Sequence, residues 1–154
     1  KIGFLDELTG DLVIHLRSAP LRIDSSVTIP PIAAFVGEDT SARIFPEQAR
    51  QGVAVPQIVY TQVGGGATKT LSGVDGCEDL TLHIYAYATD PNQSRLLARA
   101  IQERCLRSDN SIWGEGTHVH VCNGGIIDTG VDRAIDDGDV KKFWTRLVLR
   151  MVIS

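Results

Sequence analysis

The sequence predicts an α+β fold: a mixed, mostly antiparallel sheet of five or six strands with two flanking helices. Three observations predict it. Residues 79–106 read DLTLHIYAYATDPNQSRLLARAIQERCL, a strand that passes through a capped turn into a helix. In the strand, Leu80, Leu82, Ile84, Ala86 and Ala88 alternate with Thr81, His83, Tyr85, Tyr87 and Thr89, which puts the apolar set on one face. An amphipathic segment precedes this unit near the N-terminus, and a long alternating segment follows it at the C-terminus.

Bulk composition bounds the rest. The chain has 154 residues, the size of one domain spanning 1–154. Such a chain buries roughly 68–70% of its unfolded surface and needs no covalent staples. A net charge of −4 argues against a general nucleic-acid binder, which would carry a basic stripe. Cys77, Cys105 and Cys122 are odd in number and widely spaced, with no C-x-x-C, so neither a disulfide framework nor a zinc ribbon is indicated. No apolar run reaches the roughly 18 residues of a membrane span.

In chain order, Leu5, Leu8, Leu12, Val13 and Leu16 fall on one helical face, predicting a first helix over residues 4–18 that ends before Pro20. Residues 20–40 have no clear periodicity. Pro30-Pro31 interrupts regular structure, and the apolar run Ile32–Val36 reads either as a buried strand or as a loop lid. Residues 41–46 read as a short strand ended by Pro46. Residues 55–63 (VPQIVYTQV) form the next strand, with Val55, Gln57, Val59, Thr61 and Val63 on one face.

Gly64-Gly65-Gly66 opens an expected loop lasting to Gly76 and containing Lys69, Leu71 and Asp75. It is longer than the about 2–5 residues usual between hairpin strands, and long exposed loops often carry function. The helix after the central strand has its start marked by Asp90 as cap, Pro91 in the first helical position and Gln93 three residues after the cap. Leu97, Ala100, Ile101 and Cys105 then recur at helical spacing. Residues 117–122 alternate His118, His120 and Cys122 against Val119 and Val121, Gly124-Gly125 is expected to turn the chain, and 126–133 reads as a further strand. Asp136, Asp137, Gly138 and Asp139 carry a hairpin signal. In the last strand, about 140–153, Phe143, Leu147, Leu149, Met151 and Ile153 line one face. Trp144, Arg146, Val148, Arg150 and Val152 line the other. Apolar residues interleaved with arginines on the second face fit a subunit contact.

The chemical motifs are weak. Gly64 to Thr70 resembles a phosphate loop only superficially, because Thr68, not glycine, precedes Lys69 and no amphipathic helix follows. His118 and His120 share a strand face and could chelate one metal, but a zinc site needs three or four ligands, so surface or interface histidines are the simpler reading. Cys105 falls on the apolar helix face, where a thiol is inert. Asp128, Asp132, Asp136, Asp137 and Asp139 read as a solvated acidic edge, since nothing in the sequence forces a raised pKa. Arg95, Arg99, Glu103 and Arg107 stand four apart, either as ordinary helix pairs worth about 0.2–0.5 kcal/mol each or as the charged rim of an interface.

The order of these pieces resembles the tail-completion or tail-terminator (head–tail joining) proteins of long-tailed bacteriophages. The similar residues are the leading helix, Arg43-Ile-Phe-Pro46, Val55-Pro-Gln-Ile-Val-Tyr60, a polar loop, Leu80 to Ala88 entering the helix with Leu97 to Leu106, and a C-terminal antiparallel pair. The likeness is clearest from Ser41 onward, and residues 20–40 match nothing in it.

The resemblance implies a structural virion protein with no catalytic residue, cofactor or metal. It implies assembly in the bacterial host cytoplasm into a ring, usually of six copies, at the head-proximal end of the tail tube. There the ring would end tube growth and meet the capsid connector, while DNA passes through unread. On this reading Tyr85, Tyr87, Arg95, Arg99, Trp144, Arg146 and Arg150 are the candidate assembly interface. Gly64, Gly65, Gly66, Lys69, Leu71 and Asp75 are the candidate docking loop. Asp136, Asp137 and Asp139 are a candidate lumen edge whose charge would repel phosphates, where a basic lumen would retain DNA. A neck or baseplate ring adaptor would use the same fold logic, and a metal-dependent binder or enzyme built on His118 and His120 is the reading from another class.

Overall fold

The computed structural model describes residues 12–14, 16, 32–37, 43–47, 55–70, 73–106, 111–113, 116–133 and 141–154. One six-stranded sheet organises them: β1 (Ile44–Pro46), β2 (Gln57–Thr70), β3 (Gly73–Ala88), β4 (Ser111–Trp113), β5 (Thr117–Arg133) and β6 (Lys141–Ile153). Their spatial order is β1-β2-β3-β6-β5-β4. Only β1 and β2 run parallel; every other neighbouring pair is antiparallel. The helices are α1 (Ile32–Val36) and α2 (Pro91–Leu106). Residues 12–14 and 16 are also helical, and the remainder of the expected 4–18 helix lies outside the described residues. The α+β class and the mixed, mostly antiparallel sheet are as the alternation patterns predict.

The core lies between the helices and one face of the sheet. Leu80, Leu82, Ile84 and Ala86 of β3 meet Leu147, Leu149, Met151 and Ile153 of β6, with Leu97, Ala98, Ala100, Ile101 and Cys105 of α2 above them. Leu12 and Leu16 close the same cluster, both essentially without exposed surface. Burying a leucine or isoleucine contributes about 1.5–3 kcal/mol each, which is why the period-of-two and helical patterns converge on one layer. Asp90 caps α2 as expected, its Oδ1 accepting from the Asn92 N–H at 3.1 Å. Within this layer, the Ser94 hydroxyl lies 2.8 Å from both Ala86 O and Thr145 Oγ1. Ser94 donates to the carbonyl, so Thr145 donates to Ser94, and α2 is tied to β3 and β6 at a fully buried point.

Three expectations are corrected. First, residues 64–70 and 73–76 are strand and not loop. β2 and β3 stay paired from Gln57↔Tyr87 to Thr70↔Gly73, with register shifts at Gln62/Gly64 and Ala67/Lys69. The last β3–β6 rung is Glu78↔Ile153, so the rungs Lys69↔Val74 and Thr70↔Gly73 form a short two-stranded arm reaching past β6. Glycine weakens a strand, yet it still donates and accepts backbone hydrogen bonds. Once Gln57–Gln62 is paired, each further rung closes at small entropic cost, and the bulges absorb the poor fit.

Second, Gly124-Gly125 does not turn the chain. β5 is continuous over its 17 residues, and Gly124 sits in it at φ 142° against the Val148 carbonyl of β6. A Cβ at residue 124 would stand 1.8 Å from Val148 O, so the glycine marks a close backbone approach. Third, Ile32–Val36 is neither strand nor lid but the short helix α1. The run is too short for a periodicity signal to separate these alternatives. Arg43 holds this helix: its Nη2 donates to Phe35 O at 2.8 Å, its Nε to Pro56 O at 2.8 Å, and its backbone N–H to Val36 O at 2.8 Å. A cation at the carbonyl end of a helix is the favourable placement.

In β2 the core-facing residues are Ile58 and Tyr60, the partners of the expected Val55–Val63 face. Asp136, Asp137 and Asp139, together with Leu71, lie outside the described residues.

Candidate functional site

The face of the sheet opposite α2 has no described helix on it. Alternation puts Tyr85 and Tyr87 of β3 there, next to Trp144, Arg146, Val148 and Arg150 of β6, because Tyr85 pairs with Arg146 and Tyr87 with Trp144. None of these six is fully buried, although their strands form the centre of the sheet.

The side chains make a connected array. The Tyr85 and Tyr87 rings stack with centroids 6.2 Å apart at 24°. The Trp144 ring meets Tyr85 edge-on at 5.6 Å and 69°. The Arg146 guanidinium carbon lies 6.0 Å from the Tyr85 ring centre. Arg146 also grips Asp128 of β5 as a fork, Nε to Oδ1 at 2.8 Å and Nη2 to Oδ2 at 2.6 Å. These bonds to Asp128, followed by that to Tyr85, raise the guanidinium pKa above its ordinary value. The fork leaves Arg146 rigid while its aromatic neighbours remain part-exposed. Aromatic and arginine side chains held in this way are the residue types that concentrate binding energy at protein interfaces.

Arg95 and Arg99 do not join that array. Both are exposed on α2, which packs on the other side of the sheet. The seven candidate interface residues therefore fall on two surfaces, five on the sheet face and two on the outer side of α2. A cleft of about 190 Å³ lies at the edge between them, lined by Pro91, Ser94, Arg95, Val131, Phe143 and Trp144 among others. Of the expected docking segment, Lys69 and Asp75 belong to the arm, whereas Gly64, Gly65 and Gly66 pair with Thr81, Leu80 and Asp79 inside the sheet, level with β6.

Two participants were missed in the sequence. Asp128 was grouped with a solvated acidic edge, whereas it is the partner of Arg146. Gly130 was not singled out, yet the Trp144 ring rests on it: a Cβ there would stand 2.2 Å from Trp144 Cζ2. Arg133 pairs with Lys141, and the same register brings Asp128 opposite Arg146 and Gly130 opposite Trp144. The D-G signal at Asp137-Gly138 marks a hairpin, but as a two-residue turn it sets Thr129 opposite Arg146, one rung off.

The histidines sit at the other end of the sheet. The His118 and His120 rings lie 4.1 Å apart at 31°. His120 Nε2 is 2.9 Å from Ser154 Oγ and 4.0 Å from Cys77 Sγ. His83 lies on a different rung, opposite Val148. Among the described residues no three His, Cys, Asp or Glu side chains are grouped to hold a metal ion. Cys105 is fully buried on α2, and burial, with Cys122 nearby as a smaller cause, pushes its thiol pKa well up. A thiol held protonated in this way does not supply a nucleophile.

Comparisons with known proteins bear on this arrangement. Residues 27–112 match the model of a family described as tail completion protein gp17, so the match begins inside the segment that the sequence pattern alone left unplaced. A search of curated proteins found no match. Among solved structures, a chain of the virion of a native gene transfer agent particle is similar at a TM-score of 0.46 and 12% identity, over 87% of this chain and 89% of that one. A likeness of that degree carries no argument about function. The family match spans more than half of the chain, and this protein belongs to the tail completion protein gp17 family of bacteriophage tail structural proteins.

Proposed function

We infer that the protein is a ring subunit, six copies to a ring, which caps the head-proximal end of the phage tail tube and joins it to the capsid connector. The observation that carries this reading is the uncovered face of the central strands, where Tyr85, Tyr87, Trp144 and Arg146 stand part-exposed in a connected array with Arg150 exposed on the same face, in a chain that belongs to a tail-completion family. A lone domain has no reason to hold stacked aromatics and a forked arginine on its solvent side, whereas a docking surface does.

The arm formed by β2 and β3 supports the same reading. It reaches past the end of β6 to its last rung, Thr70↔Gly73, so it can reach a neighbouring ring without moving the core. The tail tube protein and the connector are the two partners, one on each side of the ring. The sequence offers Asp136, Asp137 and Asp139 as the acidic lumen edge of this reading, where like charge would keep DNA moving.

The experiment adds purified protein to polymerising tail tubes and measures tube length and tube ends by electron microscopy. The reading expects shorter tubes with one capped end, and loss of capping when Trp144 and Arg146 are both replaced by alanine. Tubes that keep growing with uncapped ends would contradict it.

A further inference from the structure

The two long strands at the flanks of the sheet are covered for only part of their length. β1 pairs with β2 along Ile58–Tyr60 alone, and β4 pairs with β5 along Thr117–Val119 alone. Beyond those rungs, among the described residues, the outer edges of β2 from Gln62 to Thr70 and of β5 from Val121 to Arg133 carry no neighbouring strand. Each edge presents a row of backbone donors and acceptors, a template for another strand.

Soluble proteins ordinarily guard such edges with lysine, proline or inward charge. Both edges carry bulges, but apart from Asp128 their charges stand only at the far ends, Lys69 on β2 and Asp132 and Arg133 on β5. Residues 121–131 read VCNGGIIDTGV, whose one charge, Asp128, is engaged by Arg146. Residues 62–68 read QVGGGAT, with no charge. Large apolar side chains stand out along both: Val121 is 41% exposed, Ile127 51%, Val131 49% and, on β2, Val63 50%.

Polarity decides what can pair with them. β2 is antiparallel to β3, β3 to β6, and β6 to β5, so β2 and β5 run in opposite directions at opposite sides of one sheet. A second copy set beside the first in the same orientation brings its β2 antiparallel to the first copy's β5. The rungs also align. Gln62 is level with Leu82, Leu149 and Gly124, and Gly66 with Asp79, Val152 and Val121. An unshifted copy thus sets Gln62–Gly66 against Val121–Gly124, and a stagger along the strands lengthens the contact toward Arg133.

We propose that neighbouring copies of this chain join by pairing the β5 edge of one with the β2 edge of the next, so that the sheet continues from subunit to subunit. The occupant of each edge is a second copy because each chain carries both halves of the contact. Two different edges make a head-to-tail interface, the type that closes into rings and not into two-fold dimers. This inference rests on the ring reading above and names its contact.

The test uses two variants of the whole chain, one with Val121→Lys and Ile127→Lys on the β5 edge, the other with Val63→Lys on the β2 edge. All three sites are exposed, so both variants are expected to melt with the wild type. Light scattering at high protein concentration reads the assemblies. The expected result is a ring for the wild type, monomers for each variant alone, and a two-chain complex when the variants are mixed, since one good edge of each kind remains. A ring formed by either variant overturns the edge pairing and leaves the ring reading standing. A two-fold dimer that β5 changes abolish and Val63→Lys does not also overturns it. A wild type that stays monomeric at the highest concentration overturns both.

Discussion

Trp144 and Gly130 face each other across the β5–β6 ladder so closely that the indole occupies the space of a missing side chain. A Cβ at residue 130 would lie 2.2 Å from Cζ2 and 2.5 Å from Cε2. The glycine thereby sets the position of the ring that meets Tyr85 edge-on. Gly130→Ala is expected to displace the Trp144 ring and cost about 1–3 kcal/mol, the usual range for overpacking. Tryptophan fluorescence separates this from global unfolding, because Trp113 is fully buried and reports on the core. The expected outcome is a shift in the exposed component alone, with tube capping reduced.

Gly124 answers to backbone, not to a side chain. Its φ of 142° and the Val148 carbonyl 1.8 Å from an added Cβ leave no room for alanine. Gly124→Ala is expected to lower stability by at least about 1–3 kcal/mol in urea melts. Gly125→Ala meets nothing within 4 Å and should have a much smaller effect. Equal losses at the two positions would argue against the continuous β5.

Arg43 links α1 to the entry of β2 through Phe35 O and Pro56 O. Hydrogen bonds involving a charged group contribute about 1.5–3 kcal/mol, so Arg43→Ala is expected to cost that much in chemical denaturation. Lysine cannot reproduce a two-pronged contact, and Arg43→Lys should recover little. Full recovery by lysine would reduce the contact to simple charge.

Cys105 gives a pH dependence with a definite sign. Burial raises its thiol pKa well above the ordinary cysteine range, about 8.5 in the unfolded chain. Above that pH the unfolded chain loses the proton while the folded chain keeps it, so stability falls as pH rises from about 8.5. Cys105→Val should remove that part of the decline. Thiol titration of the native protein should detect Cys77, which is half-buried, and not Cys105 or Cys122 until the fold opens.

Periodic burial made much of the fold legible. Leu80, Leu82 and Ile84 alternate cleanly because β3 is central and covered by a helix on one face only, and Leu97, Ala100 and Ile101 repeat because α2 lies flat on that face. Where backbone decides, pattern fails. The β2 stretch through Gly64–Gly66 is paired through main-chain groups that glycine supplies as well as any residue, while its composition reads as loop. Gly124 looks like a turn residue for the same reason. Bulges at His120 and Ile127 break the alternation of β5, so Val119 and Cys122 both reach the core although their spacing sets them on opposite faces.

The candidate surface was half legible. The residue types of the β6 outer face already marked Trp144, Arg146 and Arg150. Their partners Asp128 and Gly130 depend on register, and the sequence groups Arg95 and Arg99 with them because residue type carries no side of the sheet.

Self-assembly into a ring shows in the particle mass of the purified chain in solution. Light scattering with native mass spectrometry should give one closed species of six chain masses, with no ladder of larger open polymers. A single chain mass at every concentration, with or without tail tubes, would contradict the account.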